Sequence, residues 1–285
     1  MDPRLIADYE CVTGENPLWH PAEKRVYWTD IPTGRMFRHD PATGAHEQCY
    51  EGEQVGGFTV QPDGALLLFM ARGAVKLWRD GEVTTVIDEI PAERESRFND
   101  VIADPFGRVF CGTMPSPDHL GTLYRLDLDG SIAPALRDVR CSNGMAFTGD
   151  RRTMYHTDSG VRRICAFDYD GATGEISEGR VVVETPDGEG VPDGMTLDAA
   201  GDIWSARWDG YKLHKYTAAG AELRGIDFPA RKVSSVTFGG DDLTDMYVTT
   251  AGGDDKAANG SLAGGLFHVN IGVRGVAEYC SRIQI

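Results

Sequence analysis

Short apolar runs with the two-residue alternation of β-strands, each closed by a glycine- or aspartate-rich turn, recur six times along the chain. A small or polar residue opens each recurrence: Glu15-Asn16-Pro17-Leu18, Gly56-Gly57-Phe58-Thr59, Asn99-Asp100-Val101-Ile102, Asn143-Gly144-Met145-Ala146, Asp193-Gly194-Met195-Thr196 and Ser235-Val236-Thr237-Phe238. Ten to twelve residues later comes a large apolar or aromatic anchor, at Tyr27, Leu66, Phe110, Tyr155, Trp204 and Tyr247. The anchors are 39, 44, 45, 49 and 43 residues apart, so six units account for nearly all of the 285 residues. A third run is again alternating and aromatic, as in Val75-Lys76-Leu77-Trp78 and Leu123-Tyr124-Arg125-Leu126, and a polar fourth follows, such as 82–87. Four antiparallel strands repeated six times predict an all-β, six-bladed β-propeller, expected to form a single domain over 1–285. No amphipathic helical pattern of useful length competes; the nearest, 92–97, is too short. Either 4–7 or 276–279 has the character of the strand that closes the ring.

Strand alternation also sorts the two faces. If each innermost strand leaves one face, the second strand returns to it, so the opening residues share a face with the loops 30–34, 70–73, 114–120, 158–161, 208–211 and 251–264. The Asp-Gly turns fall on the other face. Two of them, Asp127-Leu128-Asp129-Gly130 and Asp168-Tyr169-Asp170-Gly171, imitate part of a calcium-binding loop but lack the closing glutamate of an EF-hand, and read as hairpin turns.

Charge narrows the partners. With 28 Lys and Arg against 44 Asp and Glu the formal net charge is −16, which disfavours nucleic acid and anionic membranes and leaves small neutral or cationic ligands. Six scattered cysteines show no metal-ligand spacing, and the opening Met1-Asp2-Pro3-Arg4 has no apolar signal region. Free thiols and a cytoplasmic location are the expectation; oligomeric state is not legible.

A propeller gathers its opening residues at the mouth of a central channel, so Glu15, Gly56, Asn99, Asn143, Asp193 and Ser235 should meet although far apart in sequence. Glu15, Asn143 and Asp193 would form an all-oxygen set suited to a hard divalent ion, Ca²⁺, Mg²⁺ or Mn²⁺. A hydrogen-bonded polar plug is the alternative. There is no Gly-x-Ser-x-Gly elbow, Walker loop or dinucleotide fingerprint.

The strings Gly14-Glu15-Asn16-Pro17-Leu18-Trp19, Arg97-Phe98-Asn99-Asp100, Gly112-Thr113-Met114, Ser142-Asn143-Gly144-Met145, Pro192-Asp193-Gly194-Met195, Phe238-Gly239-Gly240 and Ala263-Gly264-Gly265-Leu266-Phe267 occur in order between about residues 10 and 280. Together they resemble the senescence-marker-protein-30, or gluconolactonase, family. The resemblance implies a propeller that hydrolyses sugar lactones with one divalent metal ion, its identity open among Ca²⁺, Mg²⁺, Mn²⁺, Zn²⁺ and Fe²⁺. By the same resemblance Glu15, Asn143 and Asp193 match metal ligands, Asp193 also matches the general base, and Arg97 and Asn99 match residues that hold substrate hydroxyls. Some members cover the substrate with a glutamate from an extended third-blade loop. Here 114–120 is short, with Asp118 or His119 as substitutes. Two other readings remain at this point: a metal-dependent phosphotriesterase and a non-catalytic calcium-binding regulator.

Overall fold

Residues with β-branched and aromatic side chains fill the innermost and second runs of every repeat, and burial on both faces leaves them little choice but a sheet interior. The computed structural model, which describes residues 2–285, has 24 strands in six four-stranded antiparallel sheets. Blade one spans 14–51, blade two 55–87, blade three 98–139, blade four 142–184 and blade five 191–227; blade six takes three strands from 232–269. The expected six-bladed propeller is therefore the observed architecture, and the one α-helix among the described residues, Lys256–Asn259, is a single turn in a loop.

The closing strand is the N-terminal one. Arg4–Asp8 pairs antiparallel with Gly265–Val269 and lies outermost in blade six. The other candidate, 276–279, takes a different path. The C-terminal tail crosses the face that carries the Asp-Gly turns, and its amides bond to carbonyls of several blades: Gly275 to Leu243, Ser281 to Val60, Arg282 to Gly107 and Gln284 to Leu128. Ile283 is buried in the core between blades two and three. One end of the channel is thus floored by chain while the other stays open.

Aromatic and aliphatic side chains pack between neighbouring blades, as with Trp204, Phe238, Val248 and Phe267 between blades five and six. Innermost strands approach so closely that a side chain would not fit at some positions. A Cβ on Gly144 would lie 2.6 Å from the carbonyl oxygen of Asp193, and one on Gly56 would lie 2.0 Å from that of Phe98. These contacts bring the opening residues of adjacent blades side by side. The Asp127–Gly130 segment is a hairpin turn, closed by the Gly130 amide on the Asp127 carbonyl, as its sequence suggested. Among the described residues no helix is long and apolar enough to cross a membrane, and the six cysteines are free thiols.

Candidate functional site at the open channel mouth

A register shift interrupts every innermost strand just where its opening residue stands: between Glu15 and Leu18, Val55 and Gly57, Phe98 and Val101, Asn143 and Met145, Pro192 and Met195, and Val233 and Ser235. Such bulges re-aim side chains, here into the channel. A cavity of about 340 Å³ at the open mouth is lined by Glu15, Arg97, Asn99, Asn143 and Asp193, the proposed ligands and substrate-holding residues of the sequence reading, while Gly56 and Ser235 are not among its lining residues. Thr13, Met114, Cys141, Ser159, Val191 and Trp208 complete its walls. The face assignment from strand alternation accounts for Met114, Ser159 and Trp208, which come from the loops placed on this side. A larger cleft of about 550 Å³ opens between blades one and two, but Arg38, Glu47, Asp63 and Arg79 there pair with one another.

Hydrogen bonds run in one direction around half the mouth. Arg97 Nη1 donates to Asn99 Oδ1 at 2.7 Å, and Asn99 Nδ2 donates to Asn143 Oδ1 at 3.0 Å and to the Ser142 carbonyl at 2.8 Å. Asn143 Nδ2 donates to Ser159 Oγ at 2.9 Å, and Ser159 Oγ donates to the Pro192 carbonyl at 2.5 Å. A guanidinium can only donate and a carbonyl can only accept, so the two ends fix the orientation of both amides between them. Asn143 Oδ1 accepts one hydrogen bond and so keeps a second lone pair free, and Asn143 lines the same cavity as Glu15 and Asp193.

The electrostatics are those of crowded carboxylates. Burial pushes the Glu15 carboxyl well above its ordinary range, and repulsion from Asp193 and from Asp100, the residue after Asn99, adds to it. Asp193 is likewise pushed up by burial and then by Asp100. Asp100 itself is raised to about 6 by burial. Arg97 is the compensating cation for both Glu15 and Asp193, and a single guanidinium does not balance three acids. Two carboxylates and an amide oxygen with excess negative charge fit a divalent cation. No group of three or more His, Cys, Asp or Glu side chains has metal-holding geometry among the described residues, as expected where the third oxygen is an amide.

Two residues fall differently from the sequence reading. Asp118 and His119 do not line the cavity; His119 turns outward, its ring nitrogens on the Leu120 and Ala92 carbonyls. Met114, held by the Ser96 hydroxyl on its carbonyl, takes the place over the mouth. Asp158 holds backbone, accepting from the amides of Arg140, Cys141 and Gly160. Ser159 went unnoticed because a serine after an aspartate in a turn has no distinctive pattern. The available signal was that its counterpart in blade one is the apolar Ile31.

Residues 13–252 match the model of the SMP-30/gluconolactonase/LRE-like region. Over its full length the chain is 46% identical to all of a pentonolactonase, XacC, from Haloferax volcanii. It is 34% identical to a 6-deoxy-6-sulfogluconolactonase from Pseudomonas putida, over 96% of this chain and 97% of that protein. Among solved structures, a calcium-binding protein, regucalcin, from Agrobacterium tumefaciens superposes with a TM-score of 0.91 at 25% identity, covering 99% and 97% of the two chains. With a family match across most of its length and full-length relatives well above 30% identity, this chain belongs to the SMP-30/gluconolactonase family of sugar lactone hydrolases.

Proposed function

We propose that this chain opens a five- or six-carbon aldonolactone to its aldonic acid, with a divalent cation held by Glu15, Asn143 and Asp193. The carrying observation is the directed chain of hydrogen bonds from Arg97 to the Pro192 carbonyl, which fixes the Asn143 amide in a cavity that it lines together with two buried, mutually repelling carboxylates, Glu15 and Asp193. The pentonolactonase and sulfogluconolactonase relatives support a sugar lactone as substrate. When bound, such a cation polarises the lactone carbonyl as a Lewis acid and stabilises the negative charge that develops there.

The chain's own groups supply the rest. Asp193 takes a proton from the water as the water oxygen bonds to the lactone carbonyl carbon, and gives that proton to the ring oxygen when the ring C–O bond breaks, leaving the hydroxy acid. Arg97 has no acceptor among the described residues for its Nε and Nη2 hydrogens, so these are free for substrate hydroxyls. Asn99, pinned by Arg97 on one side and by Asn143 on the other, offers its remaining Oδ1 lone pair to a hydroxyl hydrogen. Trp208 contributes an apolar wall suited to the C–H face of a sugar ring. Holding the ring fixes the carbonyl relative to water and base, where placement lowers the barrier most. Donors lining the cavity favour a polyhydroxylated substrate over an organophosphate triester, and a purely regulatory calcium site gives the unpaired Nε and Nη2 hydrogens of Arg97 no use.

A pH-stat assay on a panel of pentono- and hexonolactones, with a phosphotriester as comparison, tests this reading. Chelation and Asp193→Ala are each expected to lower lactone hydrolysis by about a thousandfold, within the range for losing a Lewis acid or a general base. Undiminished hydrolysis in both preparations would sink the mechanism. Saturable cation binding with no lactone turnover would point to a regulator.

A further inference from the structure

Ser159 is the last link of the hydrogen-bond chain, and we infer that it is a positioning residue for the cation site. Its hydroxyl holds the Asn143 amide so that Oδ1 faces the cation, and ties that amide to the strand carrying Asp193. The inference rests on the proposed cation site and adds to it a residue outside the ligand set.

The fold itself supplies a control. Blades one and four build the same corner: the second strand ends in Asp30 or Asp158, a 3-10 turn follows at Ile31–Thr33 or Ser159–Val161, and Gly34 or Arg162 then takes a left-handed φ of 66° or 60°. In both, the first residue of the turn donates its amide to a carbonyl two residues before the opening residue, Ile31 to Thr13 and Ser159 to Cys141. In both, the aspartate accepts the amide of that same residue, at 2.8 and 3.0 Å. The corner is therefore made by backbone and aspartate. Its first turn residue is free to differ: Ile31 is a buried apolar side chain at 2% exposure, whereas Ser159 is buried at 7% with a hydroxyl. A serine has less to bury than an isoleucine, so packing does not account for it.

Geometry shows what the hydroxyl does. Ser159 Oγ accepts from Asn143 Nδ2 and donates to the Pro192 carbonyl, the carbonyl immediately before Asp193. One hydroxyl thus couples the amide ligand of blade four to the carboxylate ligand of blade five. Without it Asn143 Nδ2 keeps only a long contact of 3.6 Å to Cys141 Sγ, and the amide is free to rotate its oxygen off the channel. Groups that orient metal ligands in this way typically contribute about 10- to 100-fold to metal affinity.

Mn²⁺ titration of cation-free protein, followed by the electron paramagnetic resonance of free Mn²⁺, tests the assignment, with Asp193→Ala to mark binding elsewhere on an acidic surface. Melting temperature in chelator is recorded alongside. Ser159→Ala is expected to bind Mn²⁺ at least about tenfold more weakly while melting within about 2 °C of the unmodified protein. Ser159→Thr, which keeps the hydroxyl, is expected to restore affinity to within about threefold. Unchanged affinity in Ser159→Ala overturns the role of Ser159 and leaves the cation site standing. Loss of a cooperative melt in that variant also overturns it, since the hydroxyl would then serve the fold. Absence of saturable, Asp193-dependent binding in the unmodified protein overturns the cation site and this inference with it.

Discussion

The corner of blade one and the corner of blade four have the same backbone and different chemistry. In blade one Asp30 binds the Thr13 amide, the Thr33 hydroxyl and the Arg35 guanidinium, because Pro32 has no amide to offer. In blade four Gly160 does have one, and Asp158 takes it together with the amides of Arg140 and Cys141. Both arrangements set an opening residue at the channel mouth, Glu15 in one and Asn143 in the other. What the pair teaches is that the repeat carries the scaffold and departures from it carry the site. A hydroxyl at 159 in place of the isoleucine at 31 is one such departure, and an asparagine at 143 opposite a glutamate at 15 is another.

Substitutions at the two corners separate these roles. Asp30→Ala should have the largest effect on folding, about 3 kcal/mol, because it leaves Arg35 without its partner and the Thr13 amide unsatisfied. Asp158→Ala should cost less, about 1–2 kcal/mol, since its partners are neutral amides; it should also weaken Mn²⁺ binding, because the turn bearing Ser159 is released. Equal losses from chemical denaturation of the two variants would mean that the corners do not differ as described. Ile31→Val is smaller still, about 1 kcal/mol, and should leave Mn²⁺ affinity untouched, the reverse of Ser159→Ala. A change in cation affinity at Ile31 would erase the distinction between scaffold and site.

A pH-dependent effect, read as a difference in slope, arises in the C-terminal tail. Glu278 sits in the tail that floors the channel, a segment with no counterpart in the repeat, and burial followed by repulsion from Asp100 raises its carboxyl to about 7. The folded protein then holds a proton that the unfolded chain releases near pH 4.3, so stability contributed by the protonated form declines as pH rises from about 4.5 to 7. Glu278→Gln does not titrate. In chelator its melting temperature should fall less between pH 5 and pH 8 than that of the unmodified protein, by about 2 °C or more. An identical decline in both would show that Glu278 is solvated.

Much of this was legible in the sequence because it is local or periodic. The 82–87 outer strand was read at its observed limits, and alternation placed Met114 and Trp208 on the correct face. Glu15, Asn99, Asn143 and Asp193 stood out as polar residues opening apolar strands, Arg97 was singled out by the family resemblance alone, and all five line one cavity. The tail was not legible, since its amides seek carbonyls on distant blades and leave no pattern in 270–285. Nor was the job of Asp158, which depends on amides 17 and 18 residues earlier in the chain. Ser159 escaped for the same reason: its two partners come from different blades, and only superposing the corners reveals the hydroxyl as the exception.

The proposed chemistry and the role of Ser159 both require one divalent cation held by Glu15, Asn143 and Asp193 at the channel mouth. Anomalous diffraction from crystals equilibrated with Mn²⁺ tests it most directly. A single strong peak is expected at the mouth, with a Glu15 carboxylate oxygen, Asn143 Oδ1 and an Asp193 carboxylate oxygen each about 2.0–2.6 Å away. A mouth without a peak, in crystals of protein that hydrolyses lactone in the same Mn²⁺ solution, would contradict it.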